Sequence, residues 1–219
     1  MNELCIDVRH ELSGWTLFWA DLELLPGSHA ALASLRVDVA ARARASHTLE
    51  GLSAHPTAAV VRRLFRHAGC DPTRHRPSSE ALLRRVLKGE DLPAIHPLVD
   101  INNCLSLELV VPGCVMALGS ATPPFVLRAG RDGESMLSMR GRYELHGKPL
   151  LADGEGPFGT PISDSERVKV SEGTTRAWLV AYLPAGVVEA ACAREALDRL
   201  LEDAPVAHVL ATTVSPDTR

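Results

Sequence analysis

The sequence has few cysteines, no closely spaced cysteine pair and no long apolar run. Its five cysteines among 219 residues are odd in number and form no CxxC motif, which argues against the disulfide framework of a small secreted protein. No basic segment followed by an apolar stretch opens the chain, so we expect neither a signal peptide nor a spanning helix. These absences predict a cytoplasmic protein with no membrane partner.

Common catalytic and cofactor motifs are missing as well. The nine histidines form no HExxH or HxH pattern, and no GxSxG, P-loop or GxGxxG sequence is present. We therefore expect no metal site and no cofactor, and the simplest hydrolase, nucleotide triphosphatase and dinucleotide-binding interpretations are not favoured.

The charge balance gives little reason to expect DNA binding, but one segment is basic. The net charge is −4, so no overall positive field attracts nucleic acid. Between positions 62 and 88, however, eight cations stand against two acids. Helical spacing would place these cations on two faces, namely Arg62, Arg63 and Arg66, and Arg84, Arg85 and Lys88. The segment predicts contact with RNA phosphates; the alternative is that both faces are simply solvated.

Hydrophobic and charged fractions of 46% and 23% are typical of a folded globular chain, and the residue pattern predicts one α+β domain spanning 1–219. Trp15 to Leu24 should pair with Leu4 to Val8 in an opening hairpin. Helices are predicted from His29 to Ala45 with Ser28 as a candidate cap, from Pro56 to Gly69, from Ser78 or Ser79 to Gly89, and within 187–201 before a polar tail. Later strands are predicted at 115–118, 125–127, 168–170 and 178–182.

Two segments carry polar groups suited to a ligand pocket. In the first, His96 precedes Pro97, and Asn102 and Asn103 stand directly before an apolar run; amides can donate and accept hydrogen bonds, although such residues also cap helices. The second segment, 153–167, places three glycines and two prolines within nine residues. A backbone of that composition bends sharply and allows a ligand to approach the main chain.

At these two segments the chain resembles the B3/B4 domain of the bacterial phenylalanyl-tRNA synthetase beta subunit. Val99-Asp100-Ile101-Asn102-Asn103, followed by Leu107-Glu108-Leu109 and Pro112, is similar to the family's Val-Asp-Val-Thr-Asn segment, its Leu-Glu-Leu and its later proline. Gly156-Pro157-Phe158-Gly159, Glu172, Thr174-Thr175 and the strand at Trp178 look like the family's glycine-rich loop, acidic residue, threonine pair and next strand. The best-matching core is 98–183.

The resemblance implies a three-layer fold and a free-standing B3/B4 protein rather than a complete ligase. In the family, a pocket holds the aminoacyl end of a mischarged tRNA so that water can hydrolyse the ester. Asn103 matches the pocket asparagine, and Asn102 stands where threonine is usual. Gly156 and Gly159, with Pro157 and Phe158 between them, match the pocket wall. The family's pocket histidine would fall at Cys114, and its glutamate would fall near Val180.

Function is therefore expected to be linked to tRNA, either as trans-editing of an aminoacyl-tRNA or as recognition of its end. Asn102 and Asn103 would orient substrate or water, and His96 would line the pocket. Cys114 would be a nucleophile only as a thiolate with a lowered pKa; otherwise it is a small buried hydrophobe. The alternative function is a non-catalytic module that binds a small amino-acid-like ligand or a protein partner.

Overall fold

The computed structural model describes residues 4–27 and 30–215. In these ranges the helices α1 to α5 are Ala30–Ser46, Pro56–Ala68, Ser78–Leu87, Pro97–Leu109 and Ala190–Asp203. The strands β1 to β10 are Val8–His10, Trp15–Leu24, Gly113–Ala117, Phe125–Ala129, Ser135–Ser138, Gly141–Glu144, Pro149–Asp153, Gly156–Gly159, Arg176–Pro184 and Ala207–Ser215. No helix in the described part of the chain is long and apolar enough to cross a membrane.

A central antiparallel sheet with strand order β10-β2-β9-β3 organises the fold. Its strands carry apolar residues at successive positions. Because successive side chains point in opposite directions, both faces of the sheet are apolar. One face, which includes Phe18, Leu22 and Leu179, belongs to the core formed with the helices α1, α3, α4 and α5. The sheet is therefore covered on this side by a layer of helices.

The opposite face of the central sheet packs on a second sheet with strand order β1-β4-β7-β8. Trp19 of the central sheet stacks on Phe125 of β4, with ring centroids 5.5 Å apart, and Phe158 of β8 meets Phe125 edge-on at 5.1 Å. Aromatic packing of this kind contributes beyond simple area burial. Helices, central sheet and second sheet make three layers, which confirms the predicted α+β fold.

The predicted helices are confirmed where residues are described, whereas Ser28, His29 and the tail from 216 to 219 lie outside the described residues. Helix α2 begins at Pro56, which needs no hydrogen-bonded N–H there, and ends at Gly69 with φ of 97°. Helix α3 begins at Ser78, but its N-cap is Pro77 and no side chain caps it.

Several features of the fold differ from the sequence-based expectations. The prediction of an opening hairpin is wrong, because β1 pairs in parallel with β4 while β2 lies between β10 and β9. The segment 168–170 is not a strand; a 3-10 helix, Glu166–Val168, occupies its start. Helix α4 and the strands β5, β6, β7, β8 and β10 were not predicted. For β1, the local turn pattern was overruled by a partner more than a hundred residues away.

Candidate functional site

Helix α4 is fixed at its start by the predicted pocket residue His96. His96 is the N-cap, its Nδ1 accepts a hydrogen bond from the Leu98 N–H at 3.3 Å, and Pro97 occupies the first turn. The residue is buried and is not among those that line the cavities beside α4. The structure therefore gives His96 a capping contact, which positions the helix.

A buried carboxylate then holds the loop before α4 against the helix. Asp100 accepts a hydrogen bond from Arg36 Nη1 on α1 at 2.6 Å and another from the Ile95 N–H at 2.9 Å. The Asp100 side chain is thus engaged by these two donors. Asn102 and Asn103, about half a turn further along the helix, line a cavity together with Ile95.

This inner cavity, of about 230 Å³, lies between α4, β3 and the segment 160–170. Its wall is mainly apolar, and its polar groups come from both predicted segments. It is lined by Ser78, Ile95, Val99, Asn102, Asn103, Gly113, Val115, Met139, Thr160, Ile162, Ser163, Asp164, Lys169 and Val170. An outer cavity of about 220 Å³ shares Ser78, Asn102, Asn103 and Gly113 with it and extends to Arg85 on α3. The two cavities form one cleft.

Gly113 at the start of β3 makes room for Asn102. A Cβ atom at position 113 would collide with Asn102 Oδ1, so only glycine allows the amide to occupy its place. Asn102 is 6% exposed, and its Oδ1 accepts no hydrogen bond from any described residue. A buried acceptor without a donor is unfavourable by roughly 1–3 kcal/mol, which marks this amide as a candidate ligand contact.

Asp164, which lines the inner cavity, belongs to a cluster of titratable groups with Cys114 on β3 and Tyr182 on β9, neither of which lines it. A Cβ atom at Gly159 would lie 3.4 Å from both Asp164 Oδ1 and Cys114 Sγ and 3.8 Å from Tyr182 Oη. Asp164 Oδ1 and the Tyr182 hydroxyl have no hydrogen-bond partner among the described residues. Gly159 thus leaves space for a cluster of polar groups that the fold does not satisfy.

Burial dominates the protonation of this cluster. It raises the pKa of Asp164 from 3.8 to about 7, and the interaction with the Cys114 thiol offsets only part of that rise. It raises the pKa of Cys114 well above its ordinary value, and the nearby Asp164 carboxylate adds to the effect. Burial likewise raises the pKa of Tyr182 well above 10. Near neutral pH, Cys114 and Tyr182 are therefore neutral, and Asp164 is the group that can change its charge.

The predicted glycine-rich loop is largely a strand. Gly156 to Gly159 forms β8 at the edge of the second sheet, and Phe158 is fully buried there. None of Gly156, Pro157, Phe158 and Gly159 lines the cavities; the residues that immediately follow them do. The signal for a pocket at this segment was glycine and proline content, which marks turns but does not distinguish β8 from the 160–164 turn that reaches the cavity.

Asp164, Thr160 and Lys169 were missed as cavity residues. Asp164 and Thr160 lie within the segment singled out by composition, but no spacing rule indicated that their side chains belong to the pocket. Cys114 and Val180, where the resemblance placed the family's histidine and glutamate, are cross-strand partners in the β3–β9 pair and are both fully buried.

The structure separates the basic residues into different roles. Arg62 donates from Nη1 to both carboxylate oxygens of Glu80 at 3.0 and 2.9 Å, and this ion pair is mostly buried. Arg63 and Arg66 are exposed on α2, which packs against β9. On α3, Arg85 and Lys88 are exposed, Arg84 is half-buried, and Arg85 pairs with Glu90 at 3.0 Å. Only Arg85 of the six lines the cleft.

In the described ranges, no group of three or more His, Cys, Asp or Glu side chains is arranged to hold a metal ion. The five cysteines are unpaired thiols. The chemistry available in the cleft is therefore that of two amides, one carboxyl, the Lys169 and Arg85 cations, hydroxyl groups and main-chain groups on an apolar wall.

Replacement of Cys114 with serine distinguishes the two interpretations of this residue. Because the buried thiol stays protonated at neutral pH, we expect Cys114→Ser to retain any turnover within a few-fold and to lower stability by roughly 1–3 kcal/mol. Initial rates and denaturant unfolding measure the two effects. Loss of nearly all turnover in a folded variant would instead identify a thiolate nucleophile.

The chain matches the model of a known domain family. A family model described as "B3/4 domain" matches residues 60–199, a range that includes α4, β3, Asp164 and β9. The crystal structure of an N-terminal fragment of the phenylalanyl-tRNA synthetase beta-subunit from Pyrococcus horikoshii matches with a TM-score of 0.48 and 13% identity, covering 98% of this chain and 55% of that one. The chain thus spans about half the length of that fragment. Comparison with curated proteins gives no significant match. By its family match, the chain is a member of the B3/4 domain family.

Proposed function

We propose that the cleft beside α4 binds the aminoacyl end of a tRNA and that bound water hydrolyses the ester there. The observation that carries the proposal is the placement of Asn102 and Asn103, the residues of the family-like segment, in the wall of one cavity. Family membership supports a role related to tRNA.

The size and chemistry of the inner cavity support a ligand the size of one amino acid. At about 230 Å³ it is smaller than the roughly 300–1,000 Å³ of pockets for drug-sized ligands. Val99, Val115 and Val170 offer an apolar surface for a side chain, while the two asparagines offer donors and acceptors for the ester. An aminoacyl ester is already reactive, so positioning of substrate and water supplies much of the required acceleration.

The nucleic acid is proposed to approach along α3. Arg85 lines the outer cavity, so it lies where a phosphate next to the aminoacyl end would pass. Arg84 is on the same helix, and Lys88 is its C-cap. Arg63 and Arg66 lie on α2, away from the cleft lining, and Arg62 is held by Glu80. The phosphate contacts are therefore assigned to α3, and they should weaken with added salt.

A second function, binding without turnover, is favoured by one observation. No histidine is among the residues that line the cleft, and the buried Cys114 thiol is protonated near neutral pH. A site without a ready nucleophile could hold an aminoacyl end or a free amino acid and leave it intact.

Binding of charged against uncharged tRNA tests the proposal. Amide-linked tyrosyl-, phenylalanyl- and alanyl-tRNA, which cannot be hydrolysed at an ester, are compared with the same tRNAs uncharged, at low salt. We expect at least one charged form to bind roughly tenfold more tightly than its uncharged counterpart, because the cavity contributes only when an aminoacyl group is present. Equal affinity for every charged and uncharged pair would contradict the proposal.

Substitution of Asn103 provides the matched test of the site. We expect Asn103→Ala to remove most of the preference for charged tRNA while leaving the unfolding midpoint nearly unchanged, because Asn103 is only half-buried. Asn103→Asp keeps the shape but removes the amide N–H donors, so it should fail similarly if the amide donates to the ligand. An unchanged preference in both variants would remove Asn103 from the site.

A further inference from the structure

We propose that Asp164 pairs with the protonated α-amino group of the aminoacyl ligand and thereby restricts the cleft to ligands with a free amine. This inference rests on the proposed function and adds a specificity determinant to it. It assigns a role to a residue that the sequence motifs did not indicate.

Asp164 lies in the wall of the inner cavity, directly after a hydrogen-bonded turn. It lines the inner cavity together with Asn102 and Asn103, and it follows the turn in which Thr160 Oγ1 accepts hydrogen bonds from the N–H groups of Ile162 and Ser163 at 3.1 and 2.9 Å. These hydrogen bonds fix the turn, so the Asp164 carboxyl has a defined position at the cavity wall.

The described chain supplies no cation to this carboxyl. Asp164 takes part in no ion pair among the described residues; its Oδ1 faces the Cys114 thiol, whose interaction offsets only part of the unfavourable effect of burial. A buried carboxylate in a folded protein is ordinarily paired or hydrogen-bonded. The absent partner is therefore expected to be a group that enters the cavity.

The unpaired acceptors in the cavity wall indicate which chemical group of a ligand would bind there. Two buried oxygens in residues lining this cavity, Asn102 Oδ1 and Asp164 Oδ1, are acceptors without donors in the described ranges. A primary ammonium carries three N–H donors and one positive charge, so it complements these two oxygens. A ligand carboxylate or phosphate would instead add negative charge beside Asp164.

Among the titratable and charged groups around the cavity, Asp164 is the one whose charge changes near neutral pH. Cys114 and Tyr182 face it from β3 and β9, and burial raises the pKa of each well above its ordinary value. Lys169 lines the same cavity, half-exposed, with its Nζ 3.8 Å from Glu166 Oε2. Between pH 5.5 and 7 the charge that changes in this group is that of Asp164, whose pKa is raised to about 7 by burial.

This protonation predicts how binding depends on pH. An ammonium pairs with the ionised carboxylate, so at pH 5.5 the empty site must first lose the Asp164 proton to solvent. With a pKa of about 7, the affinity for a free-amine ligand should rise roughly fifteenfold between pH 5.5 and pH 7. The α-amino group itself, with an ordinary pKa of roughly 7.7–8.0, remains mostly protonated over this range.

The experiment compares amide-linked tyrosyl-, phenylalanyl- and alanyl-tRNA with the same molecules N-acetylated on the α-amino group, by equilibrium binding to the wild-type protein at pH 5.5 and 7. Acetylation removes the positive charge but also adds an acetyl group, so the deciding readout is the loss of the pH dependence, which added bulk alone would not cause. We expect it to weaken binding at pH 7 by roughly tenfold or more and to abolish the rise in affinity with pH. Asp164→Asn should bind both forms with similar affinity, whereas Glu166→Gln, which removes a partly exposed carboxylate two residues away, should behave as wild type.

The outcomes separate this inference from the proposed function. If charged tRNA binds more tightly than uncharged tRNA but N-acetylation makes no difference, the assignment of Asp164 is overturned and the proposed function stands. If charged and uncharged tRNA bind alike, both fail. The comparison of the two ligands on wild-type protein decides the matter even where Asp164→Asn does not fold.

Discussion

Replacement of Asp164 with asparagine is expected to stabilise the empty protein strongly above pH 7 and to change it little near pH 4. The wild-type carboxyl has a pKa of about 7 in the folded state against 3.8 as its ordinary value. The folded state therefore binds more protons than the unfolded state between these values, and the stability of the wild type falls as pH rises from about 4 to 7. Above pH 7 the loss is complete.

Asparagine has the same shape and no charge, so it removes this dependence. A shift of about three pKa units corresponds to roughly 4 kcal/mol at full ionisation, or a rise of about 10 °C in the unfolding temperature at pH 8 for a chain of this size. Thermal unfolding at pH 4 and pH 8 measures it. The fully exposed Asp132 gives the control Asp132→Asn, for which no gain is expected. Equal unfolding temperatures for Asp164→Asn and wild type at pH 8 would show that the carboxyl is solvated or already paired.

The second large effect is a loss of stability, expected when Arg62 is replaced with alanine. The sequence pattern places this residue among the candidate RNA contacts. Arg62 bridges α2 to the buried carboxylate of Glu80 on α3, and its Nη2 also donates to Thr73 Oγ1 at 3.3 Å. Arg62→Ala leaves Glu80 with the single partner Arg76, whose Nε lies 3.2 Å away. Removal of one member of a buried pair typically lowers stability by about 3 kcal/mol or more.

Denaturant unfolding measures this loss, and two further variants test its cause. Arg63→Ala removes the exposed neighbouring cation and should change stability by less than about 0.5 kcal/mol. Glu80→Gln combined with Arg62→Ala should recover much of the loss, because no unpaired charge then remains buried. If Arg62→Ala unfolds like the wild type but binds tRNA poorly, the residue contacts RNA and the ion pair contributes little.

The helices could be predicted from the sequence because their signals are local. Pro56 and Gly69 mark the two ends of α2, and both act through backbone geometry that a single residue determines. Helix α4 was missed since Asn102 and Asn103 are weak helix formers in an apolar segment, and the Asp100 contacts with Arg36 and Ile95 that support it join distant parts of the chain.

The sheets were predicted less completely because pairing is long-range. Strand β1 has a plausible turn after it, yet it pairs with β4 more than a hundred residues away. For the site, the family-like segment drew attention to Asn102 and Asn103, which line one cavity in the structure. Asp164 was missed because burial and the lack of a partner, rather than residue type or spacing, distinguish it from the other acids.

Deacylation of a panel of aminoacyl-tRNAs, led by tyrosine esterified to the phenylalanine tRNA, tests the central claim most directly. Initial rates are measured at low salt and pH 7 with the wild-type protein and with Asn103→Ala. We expect multiple turnovers on at least one mischarged tRNA, reduced at least about tenfold by the substitution. Hydrolysis that is no faster than in buffer for every member of the panel, with a folded protein, would contradict hydrolysis in the α4 cleft.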